Sequence, residues 1–157
     1  MEKPTDPVPD PSAAAAHLDE AELAARLRLV INRLARLLRS QGPADLSPSL
    51  VSALVTIELR GPIALGQLAA HERVTPPSVT RMAATLEECG LVRREADPAD
   101  RRIAYVSLTP EGKRTVQLTR TRKTAFLAKR LRRLSETEVA ALRVALPLLE
   151  ALLEDKR

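Results

Sequence analysis

Aromatic side chains are nearly missing from this chain, which has one tyrosine, one phenylalanine and no tryptophan in 157 residues. Proteins that read unpaired bases stack them on aromatic platforms, so single-stranded RNA or DNA is a poor fit. Cysteine is reduced to Cys89, which excludes an intrachain disulfide framework and suits a reducing compartment. No stretch nears the roughly 18 consecutive apolar residues of a membrane span. The N-terminus has no basic-then-apolar leader, so a cytoplasmic protein is expected, with no membrane partner. The two histidines, His17 and His71, stand far apart. No His/Cys/carboxylate set has metal-ligand spacing, no glycine-rich loop could cradle a phosphate, and no nucleophile has a base beside it. Neither a catalytic residue, a metal nor a cofactor is expected.

What is present is basic charge and helical periodicity. The formal net charge is +5 and the pI about 10.0, which favours a polyanionic partner without identifying it. The length suffices for one domain with a real core. Residues 1–18 carry repeated prolines without a periodic apolar face and read as a disordered tail. From Asp19, where Asp19-x-x-Glu22 can cap a helix, Leu23, Leu27, Val30, Ile31, Leu34, Leu37 and Leu38 form one long apolar stripe. Gly42-Pro43 stops it. That stripe is wider than a small domain covers alone, and part of it is expected to pack on a second subunit.

Ser47-Pro48 opens the next helix, through about Arg60, with Leu50, Leu54 and Ile57 inward. Ile63 could add one rung to a sheet. Leu65–Glu72 reads as a two-turn helix that Ala64 caps poorly, and Arg73-Val74 is a short turn. Thr75 then serves as N-cap and Pro76 as first residue of a helix whose Val79, Met82, Ala83 and Leu86 fall on one face. Gly90 ends it in the left-handed conformation. Its other face carries Pro77, Ser78, Thr80 and Arg81 at the leading end. Two extended runs follow, Leu91–Glu95 and Ile103–Leu108, joined by a turn-rich loop bearing Asp100, Arg101 and Arg102. A helix with a polar leading end, then a hairpin with a basic tip, suits two adjacent grooves of duplex DNA.

Thr109-Pro110 restarts the chain as a helix, and Lys113–Arg133 holds nine basic residues and no acidic one. That run is either a solvated face or a source of long-range attraction to phosphates. Ser135-x-x-Glu138 is a capping box opening a last helix, with Val139, Leu142, Leu146, Leu149, Leu152 and Leu153 on one side and Pro147 expected to kink it. Cys89 reads as an inert small residue, since Glu87 and Glu88 beside it oppose a reactive thiolate.

The run from Leu65 to Gly112 resembles the winged helix-turn-helix of the MarR family of bacterial transcription regulators. The matching motifs are LGQLA, VTPPSVTRM, LEECGLVRR, the wing sequence DPADRR and LTPEG. The flanking helices match in order and length. The resemblance implies a mainly α fold of order α-α-β-α-α-β-β-α-α. Its winged helix-turn-helix lobe would span 47–109, and its dimerisation helices 19–46 and 110–157. It further implies a homodimer on a pseudo-palindromic operator of double-stranded DNA, acting as a repressor released by a small phenolic or aromatic acid. Carried onto matching positions, major-groove contacts fall to Pro76, Pro77, Ser78, Thr80 and Arg81. Arg101 and Arg102 belong to the wing, with Arg102 resembling the minor-groove arginine and Asp100 the partner that fixes wing geometry through an ion pair. A ligand between the dimer helices and the lobe would meet Leu54 and Ile57, with Arg33 for its carboxylate. Two other readings of the residues are a nonspecific architectural DNA binder and a protein-interaction module.

Overall fold

The computed structural model describes residues 18–100 and 102–154, so 1–17 of the expected tail, with His17, and Arg101 in the wing lie outside the described residues. The described elements are α1 (Glu20–Arg39), α2 (Pro48–Arg60), β1 (Ile63–Ala64), α3 (Leu65–Glu72), α4 (Pro76–Glu88), β2 (Val92–Ala96), β3 (Ala104–Leu108), α5 (Pro110–Leu131) and α6 (Glu136–Ala151). This is the expected order. The chain forms two compact units, one holding α1 and the other everything from α2 to α6.

Helix starts follow the caps. Asp19 Oδ1 accepts the Glu22 N–H at 2.8 Å, Ser47 Oγ the Leu50 N–H at 3.3 Å, and Thr109 Oγ1 the Gly112 N–H at 3.0 Å. The Ser135–Glu138 box is complete, each side chain accepting the other's backbone N–H. Ala64 precedes α3 without any side-chain cap, as its methyl group requires. Pro147 sits inside α6, which continues to Ala151.

The sheet has the order β1-β3-β2 and is antiparallel throughout. Both hairpin strands begin one residue later than the apolar runs suggest, because Leu91 and Ile103 belong to the turns. β1 contributes two rungs, Ile63 opposite Val106 and Ala64 opposite Tyr105.

One core holds the lobe together. Leu54 and Ile57 of α2, Leu68 of α3, Val79 and Leu86 of α4, Val106 of β3 and Val116 of α5 are all buried in it. Burying each of the larger side chains contributes about 1.5–3 kcal/mol. Thr119, the buried polar residue of α5, satisfies its hydroxyl on the Thr115 carbonyl at 2.8 Å. Where α4 ends, Gly90 adopts φ +70, the Gly90 N–H reaches the Glu87 carbonyl and the Leu91 N–H reaches the Leu86 carbonyl. That bond pair is a Schellman termination, for which glycine is the low-cost residue.

Candidate DNA-binding surface

The helix pair α3–α4 turns at Arg73, which adopts φ 53 and ψ 43. A side chain in that region costs about 1–2 kcal/mol. The conformation turns the Arg73 and Val74 N–H groups back onto the carbonyls of Ala70 and Ala69. The chain then extends through Thr75 into α4. Periodicity did not reveal this residue, because the usual glycine signal is absent.

At the start of α4 the Thr75 carbonyl accepts the N–H groups of Ser78 and Val79 at 2.9 and 3.1 Å. The Thr75 hydroxyl does not cap the helix; it pairs with the Ser78 hydroxyl at 2.9 Å. Thr80 donates its hydroxyl to the Pro76 carbonyl at 2.9 Å, leaving its oxygen free to accept. Val79, Ala83 and Leu86 are buried and Met82 packs against the same core. Pro76, Pro77, Thr80 and Arg81 are exposed, and Ser78 is half-buried. Among the described residues the Arg81 guanidinium has no hydrogen-bond or ion-pair partner, so its five donors face solvent.

The wing loop is organised by Asp97, the first residue of the DPADRR motif and one of the turn-forming residues of the loop. Asp97 Oδ1 accepts the N–H groups of Ala99 at 2.7 Å and Asp100 at 3.0 Å, and the Asp97 N–H donates to the Ile103 carbonyl at 2.9 Å. Those two backbone bonds, the Asp100 one first, hold the Asp97 carboxyl below its usual range, with a smaller contribution from the Tyr105 hydroxyl. Asp100 accepts the Arg102 backbone N–H at 3.0 Å, while its ion pair to Arg102 Nε is longer, 3.8 Å. The Arg102 side chain is 95 % exposed.

Besides the two β1 rungs, the wing is tied to the rest of the lobe at two further places. Glu87, in the last turn of α4, pairs with Arg94 of β2 and is held below the usual carboxylate range, chiefly by the Arg94 side chain. The Thr109 hydroxyl donates to the Gly90 carbonyl at 2.7 Å, and the Thr109 N–H to the Leu91 carbonyl at 3.0 Å. A Cβ on Gly112 would collide with that Leu91 carbonyl, which explains glycine in the first turn of α5. These ties join residues 7 and 19 positions apart, across a change from helix to strand that a periodicity argument does not follow.

Of the residues expected to meet a ligand, Leu54 and Ile57 are buried in the lobe core, 1 % and 2 % exposed. Ile57 also borders a cleft of about 560 Å³ lined by Pro62, Arg93, Ser107, Leu108 and Lys113 among others. Arg33 is exposed on α1. On α5, Arg120 bonds Glu58 at 2.5 Å, Arg114 pairs with Glu111 and Arg130 lies 3.6 Å over the Phe126 ring. Cys89 is exposed as the C-cap of α4. Among the described residues no helix is long and apolar enough to cross a membrane, and no group of three His, Cys, Asp or Glu could hold a metal ion.

A cationic, hydroxyl-bearing leading end on the second helix of a pair, with a hairpin arm from the same lobe, defines a winged helix-turn-helix transcriptional regulator that binds DNA. The family model for MarR matches residues 46–104. The chain is 39% identical over 137 residues to the HTH-type transcriptional regulator MT0903.1 of Mycobacterium tuberculosis (strain CDC 1551 / Oshkosh), covering 87% of this chain and 96% of that one. It is 29% identical over 103 residues to the HTH-type transcriptional repressor MdtR of Bacillus subtilis (strain 168), covering 66% of each. Its fold matches Streptococcus pneumoniae FabT, solved in complex with DNA, with a TM-score of 0.66 at 24% identity over 88% of this chain and 100% of that one. The chain belongs to the MarR family, whose members are transcriptional regulators and not enzymes.

Proposed function

We propose that the protein works as a homodimer that reads a pseudo-palindromic operator, represses transcription there, and lets go when a small phenolic or aromatic acid binds. The observation that carries this reading is one lobe presenting two exposed cations on different elements, Arg81 on α4 and Arg102 on the wing. Arg81 reads guanine through paired donors in the major groove, and Ser78 and Thr80 add hydroxyl contacts to bases or phosphates. Pro76 and Pro77 set the closeness of approach at the helix start. Arg102, with Arg101 beside it in sequence, enters the minor groove where narrowing concentrates negative potential. Asp100 positions that arginine by holding its backbone N–H.

The second copy is supported by apolar residues that stand exposed on the long helices, among them Ile31 and Leu34 on α1 and Leu142, Leu146 and Leu149 on α6. Repression follows from occupancy, because a dimer filling these grooves excludes other proteins from them; MdtR, by its name, is a repressor. The proteins and DNA concerned are cytoplasmic. For the effector, Leu54 and Ile57 supply apolar surface that becomes available when the inward face of α2 loosens.

Selecting duplexes from a random pool, with and without phenolic acids, tests this reading. Enrichment of inverted half-sites about one helical turn apart, with retention weakened by an acid, is the expected outcome. The basic run of α5 favours a second reading, nonspecific architectural binding. That reading would be chosen by steep salt dependence without any enriched sequence.

A further inference from the structure

Between the reading helix and the wing stands a glycine. α4 ends at Glu88, Gly90 takes its left-handed turn, and β2 starts at Val92. The hydrogen bonds of Thr109 to Gly90 and Leu91 fix where this junction sits. Further out, β1 holds the β3 side of the arm at Val106 and Tyr105, and on the β2 side the arm meets α4 through a side-chain pair. Glu87 and Arg94 lie on either side of the junction and close over it. Glu87 Oε2 accepts from Arg94 Nε at 2.6 Å and meets Nη2 at 2.5 Å, while Oε1 accepts the Arg94 backbone N–H at 3.2 Å. Both side chains are about one-third exposed, so the pair is partly sheltered from water. Arg94 faces Val106 across the hairpin, on the inner face of the wing that also carries buried Val92. Arginine's planar fork makes such a contact directional, where a lysine would offer only a point charge.

The lever is long. Five extended residues, Val92 to Ala96, span roughly 17 Å at about 3.4 Å each. A rotation of about 10° at the junction would move the wing tip by about 3 Å, close to one base-pair step of about 3.4 Å. We infer that the Glu87–Arg94 pair is a positioning device that sets the distance between the bases read by α4 and the minor groove entered by the wing, and so selects operators by spacing. This rests on the reading that Arg81 and Arg102 enter adjacent grooves.

The test uses the full chain, its selected operator, and two derivatives whose narrow A-tract is moved one base pair towards or away from the half-site. The wild type should prefer the correct spacing by about tenfold, or ~1.4 kcal/mol. Glu87→Gln should keep a wild-type thermal midpoint and bind all three duplexes within about twofold of one another. Arg94→Lys, which keeps the charge but loses the fork, should fall between the two. The double reversal Glu87→Arg with Arg94→Glu should restore part of the preference. An unchanged tenfold preference in Glu87→Gln and Arg94→Lys would overturn the inference, and so would a uniform loss that leaves the preference intact. If Arg102→Ala alters binding to none of the duplexes, the two-groove reading falls and the inference with it. If Arg102→Ala weakens binding while Glu87→Gln keeps its spacing preference, the positioning role alone is refuted.

Discussion

The lobe from α2 to β3 and the helices α1 and α6 bury their apolar residues very differently. Leu54, Leu68, Leu86 and Val106 are at most 1 % exposed, whereas neither α1 nor α6 contains a buried residue, and Leu34, Leu146 and Leu149 are 37–55 % exposed. Leu142, Leu146 and Leu149 follow one another along α6 at the spacing of a single face. The lobe closes its core with its own residues and Val116 of α5. The long helices leave theirs exposed, the pattern expected of surfaces that pair with a second copy in the proposed homodimer. On the proposed function, reading and pairing use different physical material: a finished core positions the arginines, and exposed apolar faces recruit the second copy.

The sharpest way to break this contrast is to injure each region separately. Leu54→Ala should cost about 2–5 kcal/mol of stability, measured by denaturant unfolding, because no neighbour can refill the space. Leu149→Glu should leave the lobe folded but abolish pairing, seen as one copy per particle in sedimentation, with operator affinity falling about a hundredfold or more as the linked second half-site is lost. A Leu149→Glu protein that unfolds would show that α6 completes the core of its own chain.

Smaller effects separate the reading residues. Arg81→Ala should cost about 1–3 kcal/mol on the selected operator and relax base choice, while weakening shuffled duplexes little. Arg102→Ala should lose most on sites with a narrow minor groove. The mildest expectation concerns Asp97. Its carboxyl is held below the ordinary aspartate value, so the charged form favours the folded wing. That contribution is complete above the ordinary value and is lost as pH falls through the lowered one. The amide resonances of Ala99 and Asp100 should thus titrate with a midpoint below about 3.9. A midpoint at or above that value would remove Asp97 as the wing's organiser.

Local signals were enough to show most of the fold. Ser47-Pro48, Thr109-Pro110 and the Ser135–Glu138 box mark helix starts because capping is a contact between neighbours in sequence, and Gly90 marks an end for the same reason. The outward polar face of α4 was equally legible, since Val79, Ala83 and Leu86 leave Ser78, Thr80 and Arg81 on the other side. What stayed hidden depends on tertiary approach. Arg73 takes a left-handed turn without the residue that usually announces it. Thr75 spends its hydroxyl on Ser78 instead of the helix end. Glu87 meets Arg94, and Thr109 meets Gly90, across folds of the chain that no periodicity encodes. The DPADRR motif directed attention to Asp100, but the first aspartate of the motif makes the two bonds that shape the loop.

The most direct measurement is a binding titration of the selected operator against the same duplex with one half-site scrambled, with mass analysis of each complex. Two copies per intact operator, and a loss of about a hundredfold or more on the scrambled duplex, are expected of a paired reader. Single copies binding both duplexes with equal affinity would contradict it.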